Sequence, residues 1–178
     1  MKILIAGPQG SGKTTQARIL AEKLDLCLIK TGDLTRARAE KDDELGRKLK
    51  AALDLGILAD DSIIASLLKE EMAKQNCPNG FVTDGYPRRL HQLEVYDPEF
   101  DQVFYLDVPN EVVVKRMLDR GREDDTPELI EERLKIFHEE TAQVMDYYEK
   151  LGKLVRVDGS KGIEEVSEEI MKEVNSNL

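Results

Sequence analysis

The sequence predicts an α/β fold in three layers, a five-stranded parallel sheet with helices on both faces, and three observations carry that expectation. Short apolar runs such as Ile3-Leu4-Ile5-Ala6 alternate with longer stretches whose apolar residues recur at helical spacing. The alternation persists from one end of the chain to the other, the pattern of a parallel sheet whose strands are covered on both sides. A Gly-rich segment, Gly7-Pro8-Gln9-Gly10-Ser11-Gly12-Lys13-Thr14, lies directly between the first apolar run and the first helical stretch. No repeat, Pro-rich linker or low-complexity tract divides the 178 residues. That length suits one domain burying roughly 70% of its unfolded surface.

Each element has its own signal. Ile3 to Ala6 is short enough for a strand, and Ala17, Leu20, Ala21 and Leu24 mark the helix after the Gly-rich loop. Cys27-Leu28-Ile29 reads as a second strand ending at Thr31-Gly32-Asp33. Helical stretches follow over about 33–40, about 43–54 on Leu45, Leu49, Ala52 and Leu53, and about 61–75 on Ile64, Leu67, Leu68 and Met72. Gly56 stops the second of these, and Asp60 or Asp61 caps the third. After the turn Asn76-Cys77-Pro78-Asn79-Gly80, a third strand, Phe81 to Gly85, passes through Asp84, and a fourth, Val103 to Asp107, leads to a helix over about 110–119. Thr126-Pro127 opens a helix expected to run unbroken to about 149 on Ile130, Leu134, Phe137, Thr141, Val144 and Tyr148. Leu154 to Val157 is the fifth strand, and Ile163, Val166, Ile170 and Val174 mark the last helix. Tyr147 and Tyr148 read as packing residues.

Composition narrows the partners. A net charge of −10 argues against a nucleic-acid surface, while arginines gather at Arg36/Arg38, Arg88/Arg89 and Arg116/Arg120/Arg122. Confined arginines in an acidic chain point to small anionic ligands held in a pocket. Cys27 and Cys77 lie far apart, outside any C-x-x-C pattern, and the only histidines are His91 and His138. We expect both thiols reduced, with no structural zinc. The apolar start is too short for a signal peptide and no run reaches membrane-spanning length, so the expected location is cytoplasmic, without membrane partners.

The Gly-rich segment fits G-x-x-x-x-G-K-[ST] in its confirming context, strand before and helix after. Gly7, Gly10 and Gly12 let successive N–H groups turn inward around a polyphosphate, and the helix beginning near Lys13 adds the positive end of its dipole. Lys13 can reach the β/γ-phosphates, and either Thr14 or Thr15 can face a phosphate-bound Mg²⁺. Asp84, at the end of a strand, is the candidate for holding that ion's hydration shell.

Further motifs carry a family resemblance. Gly-x-x-Gly-x-Gly-Lys-x-Thr-Gln at 7–16, Thr31-Gly32-Asp33 with Arg36, Asp84-Gly85-Tyr86-Pro87-Arg88 with Gln92, and Arg122-x-Asp124-Asp125 with Arg133 resemble the nucleoside monophosphate kinases, most closely the adenylate kinases. The likeness runs through Asp158-Gly159-Ser160-Lys161 and so spans nearly the whole chain. It implies a P-loop NTPase fold and reversible transfer between ATP and AMP, with Mg²⁺ accompanying ATP. It further implies that Gly10, Ser11, Gly12, Lys13, Thr14 and Thr15 hold the ATP phosphates, with Arg116 and Arg120 at the donor site and Lys161 near the adenine. AMP would be held by Thr31, Gly32, Arg36, the backbone at Ile57, Leu58 and Ala59, and by Gly85, Arg88 and Gln92, with Arg122 and Arg133. Lys13, Arg88, Arg120, Arg122 and Arg133 would form the catalytic set, since phosphoryl transfer demands positioning and charge neutralisation above all. Arg38, Arg89, His91 and His138 match no motif position and are expected to be solvated charges or weak ion pairs. Thr31 and Gln92 favour adenine; the alternatives are a UMP/CMP-type kinase or a catalytically weak nucleotide-binding protein. No N/T-K-x-D guanine-reading motif occurs, which weighs against a GTP switch.

The resemblance also divides the single domain, 1–178, into a core, an AMP-binding helical insertion at about 30–59 and a minimal lid at about 120–126. Two departures stand out. Thr14 replaces the glycine usual after the loop lysine, and only Gly121 separates Arg120 from Arg122 where the family inserts its lid. A lid that short is expected to screen ATP less well from water unless a neighbouring subunit covers it. The expected partners are nucleotides, ATP, AMP and ADP, bound by a monomer or small homo-oligomer.

Overall fold

The computed structural model describes residues 1–122 and 125–176. Five strands form one all-parallel sheet: β1 (Lys2–Ala6), β2 (Cys27–Lys30), β3 (Phe81–Asp84), β4 (Gln102–Asp107) and β5 (Leu154–Asp158), in the order β2-β3-β1-β4-β5. The chain travels from central β1 to β2 on one side and later reaches β4 and β5 on the other. The carboxyl end of β1 is therefore where direction reverses and a crevice opens.

Strand periodicity divides the core in two. Ile3 and Ile5 face a layer built from Ala17, Leu20 and Ala21 of α1 (Lys13–Leu24) and Val166, Ile170 and Val174 of α9 (Ile163–Ser176). Leu4 and Ala6 face the opposite layer, with Ile64 and Leu68 of α4 (Asp61–Gln75) and Val144, Met145 and Tyr148 of α8 (Ala142–Lys150). Around the crevice lie α2 (Thr31–Ala39), α3 (Glu44–Asp54), α6 (Asn110–Arg120) and α7 (Pro127–Ile136). Asp43 caps α3 by accepting from the Gly46 N–H, and Thr126 caps α7 by accepting from that of Leu129.

The structure departs from the sequence expectations at three places and decides between two alternatives at a fourth. The helix from Pro127 is not continuous: a π-helical turn, Phe137–Thr141, separates α7 from α8 and directs the Thr141 hydroxyl to the Arg88 carbonyl, 2.8 Å away. A short α5 (Leu90–Val95) follows the cis Tyr86-Pro87 bond; six residues are too few to display a period. Asp60 is the cap of α4, accepting from Ser62 and Ile63, while Asp61 binds Arg89 and His91. Cys27 and Cys77 are joined in a disulfide, with Cα atoms 5.6 Å apart, which corrects the expectation of two thiols. Fifty residues separate them along the chain. The turn closed by the Gly80 N–H on the Cys77 carbonyl nevertheless folds Cys77 back beside β2, where the Cys27 N–H donates to the Gly80 carbonyl.

Candidate active site

The crevice holds a cavity of about 460 Å³ above the carboxyl ends of β1, β2 and β3. On one side the Gly-rich loop forms its floor. Gly12, at φ 97°, caps α1 in the left-handed region, and a Cβ there would meet nothing within 4 Å, so the loop is open to a ligand. Gly10 is constrained differently, because a Cβ on it would come within 2.9 Å of both the Val113 carbonyl and the Met117 side chain on α6. Gly10, Gly12, Lys13, Thr14 and Thr15 all line the cavity. Ser11 does not; its side chain is buried behind the loop with an unpartnered hydroxyl.

Lys13 donates to the Pro8 carbonyl at 2.8 Å. Burial lowers its pKa to about 8; Asp84 opposes that shift, while the positive charges of Arg88, Arg120 and Arg122 reinforce it. Burial thus disfavours the charged lysine, and a bound polyphosphate would favour it. Thr14, rather than Thr15, donates its hydroxyl to the Asp84 carboxylate. The parallel register sets Asp84 beside Ile5 and Lys30 at the mouth of the loop. A hydroxyl and a carboxylate together are hard oxygen donors suited to Mg²⁺, which keeps several waters and draws its other ligands from phosphate. Among the described residues, no group of three His, Cys, Asp or Glu side chains could hold a metal by protein ligands alone.

Arginines from several elements converge between the two sides. Arg116 is aimed by α6 at the carbonyl of Gly159, 2.9 Å away, and at that of Ser11 at 3.5 Å. Arg120 forms a two-bonded fork with Asp125, at 2.9 and 2.8 Å, and Arg133 on α7 meets the same carboxylate at 3.3 Å. The Asp125 side chain is fully buried, so it orients both guanidiniums. Arg88 bonds the Gly85 carbonyl at 3.0 Å, and its burial pulls its pKa below the usual arginine value. Arg122 also borders the cavity. Glu123 and Asp124, the remainder of that motif, lie outside the described residues.

The other side of the cavity is lined by Thr31, Gly32, Arg36, Ile57, Leu58, Ala59, Gly85 and Gln92. Arg36 is paired with Asp33, which also binds Lys30, and these partners hold the Asp33 carboxyl below its ordinary pKa. Thr31 presents a buried hydroxyl with no partner. Lys161 lies outside the cavity, exposed and paired with Glu169 at 3.0 Å. His138 lies apart too, packed edge-on against Phe137.

Sequence reasoning missed the apolar wall: Ala52 and Leu53 of α3, Gly56, Ile64 of α4 and Ile136 of α7 all border the cavity. Helical periodicity identified Ala52, Leu53 and Ile64 as apolar-stripe residues but could not say that this stretch faces a void. Arg89 and His91 were expected to be weakly paired. Instead Arg89 binds the buried Asp61 through bonds of 2.9 Å to both carboxylate oxygens, and His91 Nδ1 lies 2.7 Å from one of them.

A family model described as adenylate kinase matches residues 5–153. The chain is 37% identical to an adenylate kinase of Stenotrophomonas maltophilia (strain K279a), with 99% of this chain and 100% of the relative covered. It is 40% identical to one from Bifidobacterium longum (strain NCC 2705), over 96% of this chain and 98% of the relative. Another, from Xanthomonas euvesicatoria pv. vesicatoria (strain 85-10), is 39% identical over 97% of this chain and 98% of the relative. With the match extending from β1 almost to β5, the chain belongs to the adenylate kinase family and is a phosphotransferase.

Proposed function

We propose that this phosphotransferase converts ATP and AMP reversibly into two ADP. The observation that carries the reading is the single cavity shared by the phosphate loop and the Thr31/Gln92 wall, with arginines between them. One side offers backbone N–H groups and Lys13 to a triphosphate; the other offers a polar base edge and an apolar wall to a nucleoside. Two nucleotides entering from opposite sides would bring their phosphates together at Arg88, Arg120, Arg122 and Arg133. Transfer needs no general base, because the attacking AMP phosphate is already an anion. The protein aligns acceptor and donor, and its preorganised guanidiniums neutralise charge on the moving group. Mg²⁺, held near Thr14 and Asp84 with ATP, would neutralise the donor phosphates.

In this reading Ser11 contributes through the loop backbone, Arg116 ties the donor side to the Gly159 carbonyl, and Lys161 borders the adenine end. The segment 30–59 forms the acceptor insertion, and 120–126 the minimal lid. The partners are ATP, AMP and ADP, without nucleic acid or membrane, for a monomer or small homo-oligomer. Among the described residues no helix is long and apolar enough to cross a membrane. A cytoplasmic location remains our proposal, and it sets a condition on the Cys27–Cys77 bond, since disulfides are rare in that compartment.

The test is an end-point assay with Mg-ATP and AMP, UMP, CMP, GMP, dTMP or no acceptor, resolving all nucleotide products. We expect ADP to form rapidly with AMP alone. Preference for UMP or CMP would replace the acceptor, and absence of transfer with retained ATP binding would leave a binding protein. The lane without acceptor measures hydrolysis permitted by the short lid.

A further inference from the structure

Arg88 lies in the stretch 85–89, between β3 and α5 and part of neither, so no ladder of backbone hydrogen bonds holds it. Its backbone groups find their partners among side chains instead. The N–H donates to Oε1 of Gln92 at 2.7 Å, and the carbonyl accepts from the Thr141 hydroxyl at 2.8 Å. With its Nε bonded to the Gly85 carbonyl at 3.0 Å, the residue is held at three points. Gly85 and Gln92 belong to the same turn and to the helix after it. Thr141 is 53 residues away along the chain, and it ties Arg88 to the arm formed by α7 and α8.

Thr141 is 7% exposed and ends the π-helical turn. Other helical hydroxyls in the molecule fold back on their own helix: Thr35, Ser66 and Ser176 each donate to the carbonyl four residues earlier. In the wider turn the carbonyl four residues before Thr141, that of Phe137, accepts from the Ala142 N–H, and the single hydroxyl proton goes to Arg88. The start of the turn is fixed by Phe137, whose ring stacks on Tyr105 of β4 with centroids 6.3 Å apart. Leading into it is α7, which carries Arg133, held by Asp125 at 3.3 Å. Arg88, Arg133, Phe137 and Thr141 all border one small void of about 30 Å³, which places the turn directly beside both arginines. Like charges gathered around one cavity repel until a phosphate arrives, so their spacing needs an anchor.

We propose that Thr141 is a positioning residue for phosphoryl transfer: its hydroxyl anchors the Arg88 backbone to the helix that carries Arg133, and so sets the spacing of the two guanidiniums across the moving group. The inference rests on the reading that Arg88 and Arg133 meet the transferred phosphate. The π-helical turn supplies the anchor, because a continuous α-helix would leave the hydroxyl a carbonyl of its own to bond. Displacing a reacting group by about 1 Å can cost roughly 10²-fold in rate, so a single backbone tether is enough to matter.

The experiment measures single-turnover formation of ADP from Mg-ATP and AMP, so that product release does not mask transfer, together with the ATP KM and the melting temperature. Thr141→Val keeps the shape and deletes the donor, whereas Thr141→Ser keeps the donor and deletes a methyl group. We expect transfer to fall about tenfold in Thr141→Val and to stay within about twofold of native in Thr141→Ser. In both, the ATP KM should stay within about twofold of native and the melting temperature within about 5 °C. Arg88→Lys removes the planar fork, and on that background Thr141→Val should lower transfer by less than about twofold, because the fork that the anchor positions is gone. Equal losses in the Val and Ser variants, no loss in the Val variant, or the tenfold loss repeated on the Arg88→Lys background would each overturn the proposal. Should Thr141→Val fail to fold, Thr141→Ala replaces it in the same comparison with Thr141→Ser. An Arg88→Lys protein as fast as native defeats the role of Arg88 on which the inference rests, and a native protein without AMP-dependent transfer defeats the adenylate-kinase reading itself.

Discussion

The two ends of the cavity are made by different means. The donor floor comes from one short stretch of sequence, residues 9–15 of the loop and the start of α1 with the Ser11 side chain tucked behind it, and its task is performed largely by backbone N–H groups and glycine geometry. The acceptor wall is gathered from α2, α3, α4, the α3–α4 connection, the β3–α5 turn and α7, and its task is performed by side chains. A backbone device must be contiguous, so it leaves a motif; a side-chain wall requires only that distant residues meet. The contrast yields consequences that differ in size.

The largest should follow from removing the loop's own cation, Lys13. Lys13→Met keeps length and apolar bulk while deleting the charge, and we expect kcat to fall by about 10³-fold with the unfolding transition nearly unchanged, as when a charge-stabilising group is lost. A fall below about tenfold would mean that the loop backbone and the arginines suffice.

The disulfide lies away from both ends of the cavity: it ties the start of β2 to the turn before β3, at the end of these strands opposite the site. Closing a segment of this length restricts the unfolded chain, and reduction should cost about 3–4 kcal/mol of stability. Thermal unfolding with and without reductant would register this as a drop of roughly 10 °C. If the transition does not move, the bond is either absent in solution or offset by strain in the native state.

Lys13 also couples donor binding to protons. Its pKa, lowered by burial to about 8, should rise when a polyphosphate binds, so binding takes up a proton above that value. The sign is that ATP affinity is level below pH 8 and then declines, by about tenfold at pH 9 relative to pH 7. Calorimetric titration in buffers of different ionisation enthalpy would detect the uptake at pH 9. No buffer dependence there would mean that Lys13 is already charged in the free protein.

The legibility of the molecule followed the same division. All five strands and the Gly-rich loop were readable because each is a local pattern, and α1, α3, α4, α6 and α9 repeat their apolar residues often enough to show a period. The π-helical turn was hidden because one extra residue per turn scarcely disturbs a stripe, and α5 is shorter than two turns. The Cys27–Cys77 pairing depends on how a turn returns to a strand edge, which spacing does not reveal. Asp61 and Arg89 looked like a cap candidate and a surface charge; only folding showed them as partners.

Leu49 and Leu53 bring the contrast to a single helix face, because both belong to the apolar stripe of α3 with one turn between them. Leu49 is 1% exposed and belongs to the core, whereas Leu53 is half-buried and borders the cavity. Leu49→Ala should therefore cost about 2–5 kcal/mol of stability and leave the acceptor KM near its native value. Leu53→Ser should do the reverse: it removes apolar surface from the acceptor wall, raising the AMP KM by about fivefold with the ATP KM within about twofold and little change in unfolding. Steady-state kinetics and denaturant melts on both variants would separate the two roles. Were Leu53→Ser to lose stability like Leu49→Ala while keeping its AMP KM, the stripe would be core throughout, and the acceptor wall would end at α4.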